Sequence, residues 1–374
     1  MSKVLQNVSS SDKMGKIDPR ILLLALGMFA LGTDAFVIAG VLPVIARELR
    51  VTEGAAGQLV TVFSLVYGLG APVLAAITER WPRNRVLIGA LGLFCLINAG
   101  SAISPTFATL LLTRILAGCF AAVYAPLAYT VGTSLAPPEK RGQALALVVS
   151  GLTVATVFGS PLGTWVGEHF GWRMSFGLVA VLAGGACAAL LLCGLPRAAA
   201  SPALSLRARL VPLGEPRLLL ALAPSLLWNL GVYIVYTYIA PLLQQNLHIT
   251  EVSGLLIVFG LGAVLGNWSS ALVADRFGAD RPLIIGLVLL VIAQAVLPLA
   301  TISLIGAIPS ILIWGTILPN LFTPQQHRLL GLAPEHANVI LALNNSMLYL
   351  GIAGGAALGG VALHYVAVTW LGQI

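Results

Sequence analysis

Residues 151–167 read GLTVATVFGSPLGTWVG. Gly151, Ala155, Gly159, Gly163 and Gly167 recur every four residues, so a helix through them carries one stripe nearly free of side chains, where another backbone can approach closely. Pro161 lies inside that stripe and is expected to bend the helix, because it withdraws one backbone donor and crowds the preceding turn. Lipid tolerates such a break only where neighbouring protein, side chains or water satisfy the freed carbonyl. The stripe returns 196 residues later, with Gly351, Gly355 and Gly359 at the places of Ala155, Gly159 and Gly163. Two matching close-packing helices imply two matching halves.

The surrounding composition is that of a membrane protein. Hydrophobic residues make up 58% of the 374 positions and charged residues only 9%, against roughly 25% charged in soluble domains. A helical span needs about 20 apolar residues. Stretches of that kind run over about 20–47, 55–78, 86–104, 107–135, 142–167, 173–195, 217–245, 253–274, 282–300, 302–323 and 337–363. The expected fold is therefore all-α and polytopic, with eleven full spans; the ten residues after His364 suffice to begin a twelfth helix and not to finish it. Residues 1–19 contain no apolar run ahead of a small-residue cleavage site, so the first span is expected to serve as its own insertion signal.

The formal charge of +7 comes from topology and not from nucleic-acid binding. Sixteen of the twenty lysines and arginines fall on alternate loops, the set that includes Lys16, Arg83, Lys140, Arg207, Arg281 and Arg328. Arg47, Arg50 and Arg173 lie on the other set. The positive-inside rule then puts the N-terminus and the long middle loop in the cytoplasm. Cys95, Cys119, Cys187 and Cys193 fall inside spans without metal-like spacing and read as packing residues. The five histidines sit at or near span ends, and no GxxxxGK[ST] loop is present, which argues against a metal site, an intramembrane hydrolase and direct nucleotide coupling.

Two ionisable residues stand at membrane depth. Asp34, in Gly32-Thr33-Asp34-Ala35-Phe36, is the acidic one, and Arg114, in LLLTRILAG of the fourth span, is the basic one. An ionised carboxylate at that depth must be paired, intermittently protonated or in contact with water. The first span runs outward and the fourth inward, which brings the two Cα atoms to within roughly 10 Å of each other in depth. Apolar surroundings favour the neutral carboxyl and a nearby guanidinium the charged one, so moving Arg114 would change proton binding at Asp34. A fixed structural ion pair is the alternative reading. The functional reading is a proton carrier facing a central cavity.

The repeat extends through two loops. Glu79-Arg80-Trp81-Pro82-Arg83-Asn84-Arg85 after the second span matches Asp275-Arg276-Phe277-Gly278-Ala279-Asp280-Arg281 after the eighth, again at an offset of 196. Because the offset crosses six spans, the halves are parallel, related by an axis along the membrane normal. The expected organisation is a tail over 1–19, a six-helix bundle over 20–195, a linker over 196–216 and a second bundle over 217–374. In the second bundle, Asn229, Tyr233 and Tyr236 form a polar and aromatic stripe on the seventh span, and Trp314 lies on the tenth. With rings and amides but no mid-membrane charge, these candidates for a substrate cavity suit a neutral or weakly charged ligand; membrane-interface anchoring is their alternative role.

These stretches resemble the major facilitator superfamily, and more narrowly its bacterial drug:proton antiporter branch, near the sugar-efflux, chloramphenicol-resistance and purine-nucleoside-efflux permeases. TDAFVIAGVLP, the loop after the second span with its repeat DRFG, LLLTRILAG and ATVFGSPLGTWVGEHFGWR carry the similarity. The resemblance implies alternating access by two six-helix halves, an antiporter motif at Gly151, Ala155, Gly159, Pro161, Gly163 and Gly167, and a cytoplasmic gate at Glu79, Arg80, Arg83, Asp275, Arg276 and Gly278. It also implies proton coupling through Arg114 with Asp34. Ala75, Ala271, Glu79 and Pro82 depart from the usual gate pattern. The expected function is proton-coupled export of a small drug, sugar or nucleoside across a bacterial inner membrane, by a monomer without cofactor, driven by the proton gradient. A nutrient importer or facilitator of the same fold is the first alternative, and a non-transporting receptor or enzyme the second.

Overall fold

A computed structural model describes residues 18–78, 80–196, 214–332 and 334–373, with the backbone alone at 271, 274, 275, 336 and 338. Most of the expected tail and linker, Glu79 and the side chain of Asp275 lie outside the described residues. Among these residues there is no strand. The helices are α1 (Arg20–Leu49), α2 (Glu53–Thr78), α3 (Arg83–Ala102), α4 (Phe107–Ser134), α5 (Arg141–Val154), α6 (Ser160–Phe170), α7 (Trp172–Cys193), α8 (Pro216–Tyr236), α9 (Ile239–Leu247), α10 (Ser253–Phe277), α11 (Asp280–Ala300), α12 (Leu304–Leu332) and α13 (Ala337–Ala362). Eleven helical runs are long and apolar enough to cross a membrane, α5 and α6 forming one of them.

The glycine stripe packs on α1. Gly151 abuts Ala25 and Met28, Ala155 faces Gly32, Gly159 faces Thr33, and Gly167 meets Val41. A Cβ added at Gly163 would come 2.6 Å from Val37 Cγ2. A repeat of four residues outruns a helix of 3.6 per turn by about 40° at each step, so over sixteen residues an ideal α-helix would carry the stripe about 160° away from α1. The chain corrects this with a π-turn over Ala155–Gly159, where the Ser160 N–H bonds Ala155 O, five residues back. The expected bend at Pro161 is thus a widened turn: its missing N–H falls just after the π-segment. In the second half Gly351, Gly355 and Gly359 pack the same way on Leu226, Leu230, Ile234 and Tyr238 of α8 and the residues after it. That stripe spans only eight residues, and α13 is regular throughout.

Each half buries its own core. Leu24, Met28, Phe94, Tyr124, Val148 and Val179 belong to the first, and Trp228, Leu297, Ile311 and Trp314 to the second. The second cluster also takes in Ala39, Leu42 and Ala46 of α1. The halves meet through α2 on α13 and through the π-turn and α6 on α10. Gly54 approaches Gly360 O, the Tyr67 and Tyr349 rings stack at 3.8 Å, and a Cβ on Gly260 would lie 2.5 Å from Val157 Cα. Near the end of α6, Glu168 accepts the Val252 N–H at 2.7 Å, and His169 Nε2 lies 3.6 Å from Glu251. These junctions run from mid-depth to the face opposite the basic loops.

The seventh span, expected over 217–245, is broken at Thr237–Tyr238 into α8 and α9, and two further boundaries differ from expectation. The tenth span continues to Leu332 rather than ending near 323, because Gln325 donates to Ala221 O at 2.6 Å and Leu329 is buried with Leu218, Leu222, Ile340 and Leu343. Packing extends the helix where hydropathy ends. The residues after His364 do not start an α-helix; Val368–Gln373 form a 3₁₀ turn that buries Val368 and Leu371 on the second core.

Substituting Gly159→Leu should destabilise the protein by about 2 kcal/mol or more through overpacking against Thr33. Gly89→Ala, at a glycine with nothing within 4 Å of an added Cβ, is the neutral control. Thermal unfolding of both variants in detergent checks this.

Candidate functional site

Helix α1 is the hub because it presents a different residue to each neighbour. Thr33 and Val37 face the glycine stripe, Asp34 faces α4, and Phe36, about 200° further round the helix, faces α8.

Asp34 and Arg114 meet directly: Arg114 Nη1 donates to Asp34 Oδ1 at 2.6 Å, and both side chains are 0% exposed. Nη2 donates to Asn98 Oδ1 at 2.9 Å and Ser101 Oγ at 2.8 Å, both on α3. The guanidinium carbon lies 4.6 Å from the centroid of the Phe176 ring. Asn98 is oriented by its own amide, which donates to Phe94 O. Among the described residues, Asp34 Oδ2 and Arg114 Nε have no hydrogen-bond partner. The carboxylate therefore points into the first half, between α1, α3, α4 and α7, and not into an open central cavity. Sequence spacing gave the depth of the pair; Asn98, Ser101 and Phe176 carry no signal there beyond being polar or aromatic residues on neighbouring spans.

A second group lies between the halves. Tyr236 packs against Phe36 at 6.4 Å, Tyr233 at 5.5 Å, Phe259 at 5.1 Å and Trp314 at 6.1 Å between centroids. The Ser160 hydroxyl donates to Phe36 O at 3.3 Å. Ser160, immediately after the π-turn, so ties the start of α6 to α1 beside this aromatic group. Trp314 Nε1 is buried and without a partner among the described residues. Nearby, Tyr67 and Tyr349 stack across the halves. Three of the four cavity candidates, Tyr233, Tyr236 and Trp314, thus come together. Asn229 does not join them: its amide donates to Ser225 O at 2.9 Å, Ser225 donates to Asn344, and Gly351 abuts its Cβ. Phe36, Phe259, Tyr67, Tyr349 and Ser160 were not singled out from sequence, since an aromatic or serine within a span is ordinarily packing.

The loop residues occupy the basic face. Arg80 is exposed after α2, and Arg83 lines a cavity of about 120 Å³ with Thr78, Pro126 and Thr130. Arg276 stands 5.6 Å from the Phe277 ring centroid, and Gly278 turns the chain at φ 75°, a conformation that favours glycine.

Removing Arg114 alone, as Arg114→Met, should cost about 3–5 kcal/mol by leaving Asp34 buried and unpaired. Adding Asp34→Asn to it should recover most of that loss. Unfolding of the two variants and the parent in detergent measures the difference.

The sequence profile of the Major Facilitator Superfamily matches residues 24–356. The inner membrane transport protein YdhP of Escherichia coli (strain K12) is 34% identical over 350 residues, covering 93% of this chain and 90% of that protein. The uncharacterized MFS-type transporter YbcL of Bacillus subtilis (strain 168) is 32% identical over 360 residues, covering 95% and 92%. A chloramphenicol resistance protein of Streptomyces lividans is 36% identical over 276 residues, 72% of this chain and 70% of that one. Among solved structures, a mutant of the nucleoside transporter NupG superposes with a TM-score of 0.73 at 13% identity, covering 93% of this chain and 90% of that one. At that identity the likeness shows the fold alone.

Proposed function

The chain belongs to the Major Facilitator Superfamily, and from that membership we propose that it is a proton-coupled exporter of small neutral or weakly charged organic molecules. That it is a multi-pass membrane protein of a transporter family, and not an enzyme, follows from the relatives and the eleven spans. The observation that carries the finer reading is the buried Asp34–Arg114 pair with one carboxylate oxygen unpartnered, on the same helix as the aromatic group at Phe36. Asp34 is the proton carrier and Arg114 its counter-charge. Rings at Phe36, Tyr233, Tyr236, Phe259 and Trp314 receive the substrate, and the tyrosine hydroxyls and indole N–H supply its polar contacts.

Substrate and proton need not touch the same atoms. A ligand entering between Phe36 and Tyr236 displaces α1, and α1 carries Asp34 relative to Arg114. Proton release then follows from a shift of one helix. With the basic face cytoplasmic, as the Lys and Arg distribution favours, the membrane potential supplies about 2.3 kcal/mol per charge per 100 mV. The chloramphenicol resistance relative supports export of an amphenicol-like molecule. The protein works as a monomer in the bacterial inner membrane, without cofactor.

Purified protein in weakly buffered detergent should release protons on addition of its substrate, tested over a panel of amphenicols, sugars and nucleosides. Asp34→Asn should bind the same compound and release none. Binding without release by the parent chain would replace antiport with facilitated transport. Tyr236→Ala should weaken binding of that compound about tenfold through loss of ring contact, read by tryptophan-fluorescence titration.

A further inference from the structure

We propose that Asn98 and Ser101 are positioning residues that hold Arg114 in a one-point contact with Asp34, so that Oδ2 stays free to take a proton, which neutralises the carboxylate, while the Nη1–Oδ1 hydrogen bond remains intact. Their place in transport rests on the proton-coupled reading above. An arginine and a carboxylate commonly pair through two parallel N–H···O bonds, which would engage both carboxylate oxygens. Here the fork is divided. Nη1 goes to Oδ1, while Nη2 is drawn to the two neutral acceptors on α3 at 2.9 and 2.8 Å.

Neither acceptor is free to turn away. The Asn98 amide nitrogen is committed to Phe94 O at 3.1 Å, which aims its oxygen at the guanidinium. Ser101 accepts from Arg114 while its hydroxyl hydrogen is directed to Ile97 O or Thr113 Oγ1. Phe176 covers the guanidinium and prevents it from swinging toward α7. The result is a fully buried carboxylate with one oxygen charge-paired and the other without a partner among the described residues. In a dry interior such an oxygen is costly unless it is hydrogen-bonded or neutralised by a proton. Protonation at Oδ2 requires no rupture of the Nη1–Oδ1 bond, so α4 need not move for the proton to bind.

The sign of the effect can be worked through. Without the α3 acceptors, Nη2 rotates onto Oδ2, both oxygens are engaged, and the charged carboxylate is favoured. Asp34 should then hold its proton less tightly. A carboxylate at position 98 acts oppositely, competing for Arg114 and repelling a charge on Asp34.

The test is infrared difference spectroscopy of the protonated carboxyl band of Asp34, assigned by its disappearance in Asp34→Asn and titrated in detergent-purified full-length protein. Asn98→Ala/Ser101→Ala should move the titration midpoint down by about one pH unit, a tenfold weaker hold on the proton. Asn98→Asp should move it up. Ser101→Ala alone, which leaves the smaller void, should give a smaller downward shift and serves if the double variant does not fold. Asn98→Gln, with the same acceptor group, should restore the parent midpoint more closely than alanine. An unchanged midpoint in Ser101→Ala and Asn98→Asp overturns the positioning role. Shifted midpoints without substrate-driven proton release in the parent protein would leave the positioning intact and reject antiport.

Discussion

Close contact between the side chains of α1 and the nearly bare stripe of the fifth span is the constraint on which the remaining architecture depends. Lipid offers helices no hydrophobic reason to associate, so surfaces that allow backbones to approach must do that work. Gly151, Gly159, Gly163 and Gly167 provide the approach, and the residues of α1 that they meet, Met28, Thr33, Val37 and Val41, are thereby fixed in rotation. With those fixed, Asp34 has only one direction to face, and so has Phe36. The second half repeats the device with α13 on α8. There the helix faced by the stripe carries aromatic residues where the first half carries a charge. Two copies of one packing solution thus hold two different chemistries, a buried ion pair and a cluster of aromatic rings.

The ion pair is tolerable only because its neighbours satisfy it. Removing two charges from water costs several kcal/mol for each, and a single hydrogen bond does not offset that. Arg114 meets the demand with a carboxylate, two neutral acceptors and an aromatic face. Asp34 has far less, with one bond to one oxygen. The imbalance lies on the acidic side, where a proton can relieve it.

Much of this was legible because it leaves periodic or compositional traces. The spans follow from length and hydropathy, the halves from a constant offset, and the stripe from its spacing of four. Asp34 and Arg114 stand out since charge at membrane depth is rare. Other features leave no such trace. That the carboxylate turns into the first half and away from the centre depends on helix rotation, which the stripe sets only once its partner is known. Asn229 shares a helical face with Tyr233 and Tyr236, yet Gly351 lets α13 close over it and makes it part of a helix contact. Ser160 gains its importance from a π-turn, and a π-turn has no sequence signature apart from a stripe too long for an α-helix to keep straight. The continuation of α12 to Leu332 is carried by Gln325 and Leu329, whose burial no hydropathy window registers.

Pro161 favours keeping the π-turn at Ala155–Gly159. Converting it to α-helix would ask residue 161 for an N–H that proline lacks and would push the ring onto a carbonyl one turn earlier. The fifth span is accordingly a jointed rod. Its first arm, α5, packs on α1 from Ala25 to Gly32, and its second arm, α6, packs on Val37 and Val41 and meets Glu251 and Val252, just before α10, through His169 and Glu168. Both arms lie on α1, while the end of α6 touches Glu251 and Val252 of the other half, so one span links α1 to the junction of the halves. Pro161 thus marks a joint in a span that bears both on α1 and on the second half.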